Sequence, residues 1–183
     1  MTTILAYGRK LPHNDWEGDD FTPGAGGRYV TCMDTASGRM VAWATNGRIN
    51  QDGKWYRQAV SPPDPNGITF DQAAQAVHSR TGLPLHHDAD WTRSMVTDWL
   101  KQGKGLIITG IYATIPRQYR YQLSSDFGHA MFVVNISKAG VSRLYDPLDP
   151  NTSGHGRNVP SSILWPFLAS REYTVGYVPL QHL

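Results

Sequence analysis

Three runs rich in β-branched and other apolar residues follow one another in the C-terminal half of this chain. They are GLIITGIYA at residues 105–113, HAMFVVNIS at 129–137 and GVSRLYD at 140–146. Runs of this kind, bounded by glycine and polar residues, predict buried β-strands. The tripeptide KAG between the second and third runs predicts a tight hairpin, and EYTVGYVPL near the C-terminus predicts a further strand. This half of the chain is therefore expected to form a mostly antiparallel sheet.

The N-terminal half has a helical pattern instead. Apolar residues recur at spacings of three and four along one face of MDTASGRMVAWAT (residues 33–45), which predicts a helix that ends at Gly47. Thr69 is predicted to cap a second helix, FDQAAQAVHSR, and Asp90 a third, WTRSMVTDWLKQG. Residues 46–68, between the first two helices, are interpreted as turns. Helices that precede a mostly antiparallel sheet define an α+β fold.

The domain organisation follows from length and local composition. A chain of 183 residues is long enough for one domain with a sizeable core. Its beginning contains the stretch GRKLPHNDWEGDDFTPGAGG, which is rich in Gly, Pro and Asp and has neither a helical nor a strand period. We interpret residues 1–27 as an irregular arm that either packs on the domain or contacts a neighbouring subunit. Residues 28–183 are interpreted as the folded domain.

Charge and cysteine content argue against several classes of protein. The 17 Lys and Arg residues nearly balance the 15 Asp and Glu residues and form no basic stripe, so no nucleic-acid partner is expected. A single cysteine cannot form an internal disulfide. The first residues lack the apolar stretch of a signal peptide, and no run approaches the ~20 apolar residues that cross a bilayer. We expect a protein made in the cytoplasm without a signal peptide and without a membrane partner.

Three residues have the chemistry of a nucleophilic site. Cys32 immediately precedes the first predicted helix, whose exposed N–H groups and dipole favour a negative sulfur, the reactive form of cysteine. His129 opens a predicted strand, and Asp146 ends the next strand. Pairing these strands around KAG brings His129 beside Asp146. The three residues suit the roles of nucleophile, base and orienting acceptor, although an isolated cysteine or histidine is often only structural.

Other polar and aromatic clusters suit simpler interpretations. The segment HHDAD (residues 86–90) contains two adjacent histidines, which seldom reach one metal ion from a loop, so we interpret it as a polar loop that ends in an N-cap. The glycine-rich TPGAGG (residues 22–27) lacks the Lys-Ser/Thr ending of a phosphate-binding loop and is interpreted as a hinge. Four tryptophans at helical positions are predicted to pack in the core: Trp43, Trp91, Trp99 and Trp165.

The segments that carry these residues resemble the papain-like cysteine peptidases. The resemblance rests on a cysteine at the start of the first helix, on DWLKQGKGLIITG, on GHAMFVVN and on YDPL, and it covers about residues 28–170. It is greatest to the peptidases that cleave double-glycine leader peptides of bacteriocins. The stretch CMDTASGRMVAWATNGR also resembles peptidase-like modules of tail and lysis proteins in phages of actinobacteria.

This resemblance implies a papain-like fold, with N-terminal helices packed on the sheet. It implies Cys32 as the nucleophile, His129 as general base and acid, and Asp146 as the orienting residue of a cysteine hydrolase that forms a thioester and uses no metal or cofactor. In a phage, the enzyme would be virion-associated or lysis-related. Its substrate would be a peptide or a cell-wall peptide, and its N-terminal arm could contact other virion subunits.

The sequence departs from the family pattern near the nucleophile. Family members carry a glutamine some five or six residues before the cysteine, which donates to the oxyanion, and a glycine directly after it. Here Gly26 and Gly27 occupy the glutamine positions, Met33 follows Cys32, and no glutamine occurs earlier in the chain. The alternative is therefore a weak or inactive peptidase-fold subunit of a phage tail.

Overall fold

The computed structural model describes residues 31–60, 67–121, 127–149, 156–170 and 174–181. Within these ranges the helices are α1 (Cys32–Ala44), α2 (Gly53–Arg57), α3 (Phe70–Thr81), α4 (Arg93–Lys101) and α5 (Leu164–Leu168). The strands are β1 (His86–Asp88), β2 (Leu106–Ile111), β3 (Gly128–Val134), β4 (Val141–Tyr145), β5 (Arg157–Pro160) and β6 (Val175–Tyr177). The predicted arm, residues 1–27, lies outside the described residues.

The strands form one sheet in the order β1-β6-β2-β3-β4-β5. Every pairing is antiparallel, which confirms the predicted α+β layout of helices followed by an antiparallel sheet. The hairpin around KAG closes where the Gly140 N–H donates to the Ser137 carbonyl over 2.9 Å, with Gly140 at a φ of 69°. Strand β6, the last in the chain, lies between β1 and β2, so the centre of the sheet combines distant parts of the sequence.

Helix α1 lies at the centre of the fold. It contacts β2 and β3 of the sheet and also α2 and α3. Every residue from Met33 to Ala44 is consequently buried, including the polar Thr35 and Ser37. The prediction of a helix at this position is confirmed, and its burial extends beyond the predicted apolar face to every side. The buried Asp34 carboxylate forms an ion pair with the Arg57 guanidinium of α2, with 3.0 Å between Oδ2 and Nη1.

Two apolar clusters make up the core, one on each face of the sheet. Side chains of α1 and α3 pack with Phe132 and Val134 of β3 on one face. Side chains of α4 and α5 pack with Met131 and Val133 of β3 on the other. This alternation along one strand is the period of two expected for a strand that is buried on both faces.

Capping signals define two of the helix starts. The Thr69 side chain accepts from the Gln72 N–H, and the Gln72 side chain accepts from the Thr69 N–H, so the predicted cap of α3 is confirmed as a capping box. The predicted cap at Asp90 is wrong. Helix α4 begins after Thr92, whose hydroxyl accepts from the Met95 N–H, whereas the Asp90 N–H donates to the Asp88 side chain.

Two segments that have no period in the sequence nevertheless form regular structure. Helix α2 lies in the region interpreted as turns, and the Asp52 carboxylate caps it by accepting from the Trp55 N–H. The interpretation of His86, His87 and Asp88 as part of a loop is wrong, because they form the edge strand β1, whose backbone pairs with β6. Neither segment is long enough to show a period, and the pairing of β1 depends on a strand almost at the C-terminus.

The tryptophans differ in environment. Trp43 is buried in α1, and its indole N–H donates to the Gly103 carbonyl over 3.0 Å, as expected for a core residue. Trp91, Trp99 and Trp165 are only half-buried, because they lie at the rim of the second apolar cluster. There the Arg93 guanidinium lies 4.6 Å from the centre of the Trp165 ring. Among the described residues, no helix has the length and apolar character needed to cross a bilayer.

Candidate active site

Cys32 is the first residue of α1 and is half-buried. The helix thus begins at the cysteine itself, one residue earlier than predicted. The first N–H groups of a helix have no partner within it, and they carry the positive end of the helix dipole. A thiolate at this position would be stabilised by both effects. The Thr35 N–H closes the first turn on the Thr31 carbonyl at 2.9 Å.

His129 is the second residue of β3 and is 4% exposed. It pairs with Gly110 of β2, and a methyl group in place of the Gly110 hydrogen would collide with the Phe167 carbonyl oxygen. The strand beside His129 therefore lies in close contact with α5. A histidine held in the sheet in this way has little freedom to move.

Asp146 follows the last residue of β4, and its carboxylate receives three hydrogen bonds. Oδ1 lies 2.8 Å from His129 Nε2 and also accepts from the Leu148 N–H at 3.0 Å. Oδ2 accepts from the Tyr112 hydroxyl at 2.5 Å. The predicted proximity of His129 and Asp146 is thus present in the structure. Because a carboxylate only accepts, its partner Nε2 carries the ring proton, and Nδ1 is the nitrogen left for a proton exchange.

The electrostatics of His129 link it to both other residues. Burial alone would lower the pKa of His129, because it disfavours the charged ring. The charge and hydrogen bond of Asp146, followed by the hydrogen bond and charge of Cys32, act in the opposite direction and prevail. The pKa of His129 is therefore raised well above its ordinary value of 6.5. Asp146 and, after it, Cys32 therefore both favour the protonated form of this imidazole.

Two aromatic rings enclose the imidazole. The centre of the Tyr112 ring lies 4.7 Å from that of His129 and the Phe127 ring 5.8 Å away, both in edge-on arrangements. Tyr112 follows β2 directly and forms the start of a short 3₁₀ turn. Tyr112 is a site residue that was not predicted from the sequence. In the sequence, Tyr112 is marked only by its position near the end of the apolar run of β2, the strand that pairs with β3.

The start of α1 offers one candidate donor for an oxyanion. The Cys32 N–H, at the first position of α1, points to no acceptor within the helix. Gly26 and Gly27, which occupy the positions of the family's glutamine, lie outside the described residues.

The histidines of HHDAD have other partners. His87 lies 3.2 Å from the exposed Asp71 carboxylate and stacks on the Phe70 ring. The His86 ring packs against Tyr177. Across the described ranges, no three His, Cys, Asp or Glu side chains come together in a way that could hold a metal ion.

Comparison with known proteins identifies the fold. No protein-family model matches the chain, and no curated protein sequence is significantly similar to it. Among solved structures, the chain is similar to one described as a C39-like peptidase of Bacillus anthracis, with a TM-score of 0.55 and 12% sequence identity. The match covers 83% of this chain and 90% of that one. The chain therefore has the α+β, papain-like peptidase fold. At this identity the likeness concerns the fold alone.

Proposed function

We propose that this protein is a cysteine hydrolase that cleaves a peptide or another amide, with Cys32, His129 and Asp146 as its catalytic residues. The observation that carries this proposal is the 2.8 Å contact of His129 Nε2 with the buried Asp146 carboxylate; the raised pKa of His129, to which Asp146 and then Cys32 contribute, supports it. The three residues come from the start of a helix, the start of a strand and the end of the next strand. These three residue types match the roles of nucleophile, base and orienting acceptor in a triad.

In the proposed reaction, His129 carries the proton that is exchanged during amide hydrolysis. The raised pKa of His129 favours an imidazolium beside a Cys32 thiolate. The thiolate attacks the carbonyl carbon of the amide, and the π electrons of that carbonyl move to its oxygen. When the tetrahedral intermediate collapses, the C–N bond breaks, and His129 gives its proton to the leaving amine. His129 then takes a proton from water, the hydroxide attacks the thioester, and the acid and the Cys32 thiolate are released.

A second candidate function is supported by the residues around the nucleophile. No glutamine precedes Cys32, so the oxyanion would have the Cys32 N–H and no donor of the family type. Loss of one such donor typically lowers the rate about 10²–10³-fold. The alternative is therefore a subunit that retains the peptidase fold for binding, with His129 and Asp146 as a buried structural pair.

The state of the thiol distinguishes the two candidates. An ordinary thiol with a pKa of about 8.5 is less than about 1% ionised at pH 6, whereas a thiolate paired with an imidazolium is ionised there. Because the chain has one cysteine, alkylation by iodoacetamide reports on Cys32 alone. We expect rapid alkylation at about pH 6 that slows strongly in His129→Gln. A rate that follows an ordinary thiol at every pH would refute the enzyme.

Turnover requires a separate experiment. The protein is incubated with unfolded proteins and with purified cell-wall peptides, and new N-termini are identified by mass spectrometry. Cys32→Ala is the matched control, since it lacks only the sulfur. Cleavage that the wild type and Cys32→Ala produce equally would exclude Cys32 as the nucleophile.

The biological setting rests on sequence resemblance alone. Action on a cell-wall peptide or a phage protein, incorporation into a virion and contact of residues 1–27 with other virion subunits all stay predictions. The first test is to ask by mass spectrometry whether purified phage particles contain the protein. Its absence from particles would leave the hydrolase proposal intact and remove the virion role.

A further inference from the structure

The hydroxyl of Tyr112 lies between two groups of the candidate site. It donates to Asp146 Oδ2 at 2.5 Å and accepts from the Tyr121 backbone N–H at 2.9 Å. The Tyr112 side chain is fully buried, and its ring packs edge-on against His129. One residue therefore contacts both the carboxylate and the imidazole of the proposed triad.

The direction of the Tyr112–Asp146 hydrogen bond is determined by the partners. A tyrosine hydroxyl has one proton, and the Tyr121 N–H already uses a lone pair of its oxygen, so the proton is left for Asp146. Burial, followed by the charge of Asp146, raises the pKa of Tyr112 far above its ordinary range. Tyr112 therefore remains a protonated donor at every pH at which the protein would act.

A second hydrogen bond connects the segment 112–121, which contains Tyr112, to the turn 146–149, which contains Asp146. The Tyr121 hydroxyl donates to Asp149 Oδ2 at 2.6 Å, and the Asp149 N–H closes the turn on the Asp146 carbonyl at 2.9 Å. The Arg157 guanidinium covers the Tyr121 ring at 4.1 Å. Two tyrosine–aspartate pairs thus connect residues 112–121 to the turn 146–149, and only the Tyr112 pair reaches the imidazole.

We propose that Tyr112 is a positioning residue of the hydrolase, which holds the Asp146 carboxylate in the orientation that lets Oδ1 receive the Nε2 proton of His129. This inference rests on the proposed function. Among the described residues, Oδ1 has two donors, whereas Oδ2 accepts from the Tyr112 hydroxyl. Without it, the carboxylate can rotate about its bond to Cβ, and the imidazolium loses part of its stabilisation. The proposed activation of Cys32 by this imidazolium is weakened accordingly.

The titratable and charged groups around Tyr112 and Asp146 come from several elements. They are Cys32 on α1, His129 on β3, Tyr112 after β2, and Tyr121, Asp149 and Arg157 around the turn that follows β4. The Tyr112 hydroxyl and the Tyr121 hydroxyl, whose pKa is also raised, stay protonated through the neutral range. A change in reactivity between about pH 5 and 8 therefore reports on the pair of Cys32 and His129.

The test measures the alkylation rate of Cys32 by iodoacetamide as a function of pH. The variants are Tyr112→Phe, Asp146→Asn and the double variant, with Tyr121→Phe as the matched control that removes a hydroxyl from Asp149 instead. We expect Tyr112→Phe to lower the rate at about pH 6 by about three- to tenfold, which is the net effect of one typical hydrogen bond. Its acid-side inflection should move towards that of an ordinary thiol. Tyr121→Phe should stay within about twofold of the wild type.

The double variant separates positioning from a general effect on the fold. If Tyr112 acts through Asp146, the double variant is no slower than Asp146→Asn alone, because the negative carboxylate that Tyr112 would orient is already gone. A double variant slower by the full factor of Tyr112→Phe overturns the proposal, as does a Tyr112→Phe profile equal to that of the wild type. If Cys32 of the wild type is alkylated at the rate of an ordinary thiol, the proposed function is refuted. The role of Tyr112, which depends on that function, is then refuted as well.

A second pair of variants covers the case in which Tyr112→Phe does not fold. 4-Methylphenylalanine placed site-specifically at position 112 fills the volume of the hydroxyl without a donor, and 4-aminophenylalanine restores an N–H donor. The methyl variant should show the loss of about three- to tenfold that is expected for Tyr112→Phe, and the amino variant should recover most of the rate. Equal rates for the two overturn the proposal.

Discussion

His129 Nε2 and Asp146 Oδ1 lie 2.8 Å apart, and 17 positions separate the two residues in the chain. The contact closes across the β3–β4 hairpin, and the two side chains are only 2% and 4% exposed. An imidazole and a carboxylate buried together in this way depend on each other for stability. In the proposed hydrolase, this dependence also keeps the imidazole oriented towards Cys32.

Replacement of Cys32 by alanine should abolish hydrolysis with little effect on stability. The thiol is half-buried and contributes little packing, so the free energy of unfolding should change by only about 1 kcal/mol. Urea unfolding of the wild type and of Cys32→Ala, together with the cleavage assay, checks both parts. A loss of several kcal/mol would show that the sulfur belongs to the core.

Replacement of His129 by alanine should be costly, because it leaves the Asp146 carboxylate buried without its cation. We expect a loss of about 3 kcal/mol in the free energy of unfolding. Asp146→Asn keeps the volume and an oxygen for the Tyr112 hydroxyl, so its loss should be smaller, while alkylation of Cys32 at about pH 6 still falls. Urea unfolding of both variants measures the order. Equal losses would contradict the expectation that a buried carboxylate without its cation costs more than an uncharged asparagine.

The stability of the fold should decrease from neutral to alkaline pH through His129. Its pKa is raised well above 6.5 in the folded protein and returns to its ordinary value on unfolding. The protonated ring therefore stabilises the fold in full below about pH 6.5, and this contribution is lost as the pH rises through the folded pKa.

This pH effect is isolated by comparing the wild type with His129→Gln. The other histidines are present in both proteins, so the difference in unfolding free energy between the two reports on His129. Urea unfolding between about pH 6 and 9 should show a steeper decline for the wild type. Parallel curves would mean that the imidazole is not held as a cation in the fold.

Gly110→Ala tests the close approach of α5 to the strand beside His129. The added methyl carbon would collide with the Phe167 carbonyl oxygen, so the helix or the strand must shift. We expect a loss of about 2 kcal/mol, typical of overpacking. Gly140→Ala is the contrast, because its methyl group meets nothing within 4 Å and only the φ of 69° opposes it, at about 1 kcal/mol. A neutral Gly110→Ala would contradict this packing.

Much of the fold is determined by signals that are local in the sequence. The cap of α3 follows from Thr69 and Gln72, and the apolar runs of β2, β3 and β4 are apparent from composition alone. The proximity of His129 and Asp146 can also be predicted from the sequence, because His129 lies on one strand of a hairpin with a short turn and Asp146 directly follows the other strand. The amino-acid sequence by itself therefore determines the α+β class and the pairing of the two residues.

Only the tertiary structure decides what depends on distant pairing. The position of β6 between β1 and β2 turns a polar segment into a strand, and the helices and strands around α1 bury it on every side. Cys32 and His129, which the proposed hydrolase pairs, belong to a helix and to a strand far along the chain. Tyr112 becomes part of the site only because Asp146 folds against it. Such contacts leave no periodic trace in the sequence, because they arise from the packing of whole elements and not from the spacing of neighbouring residues.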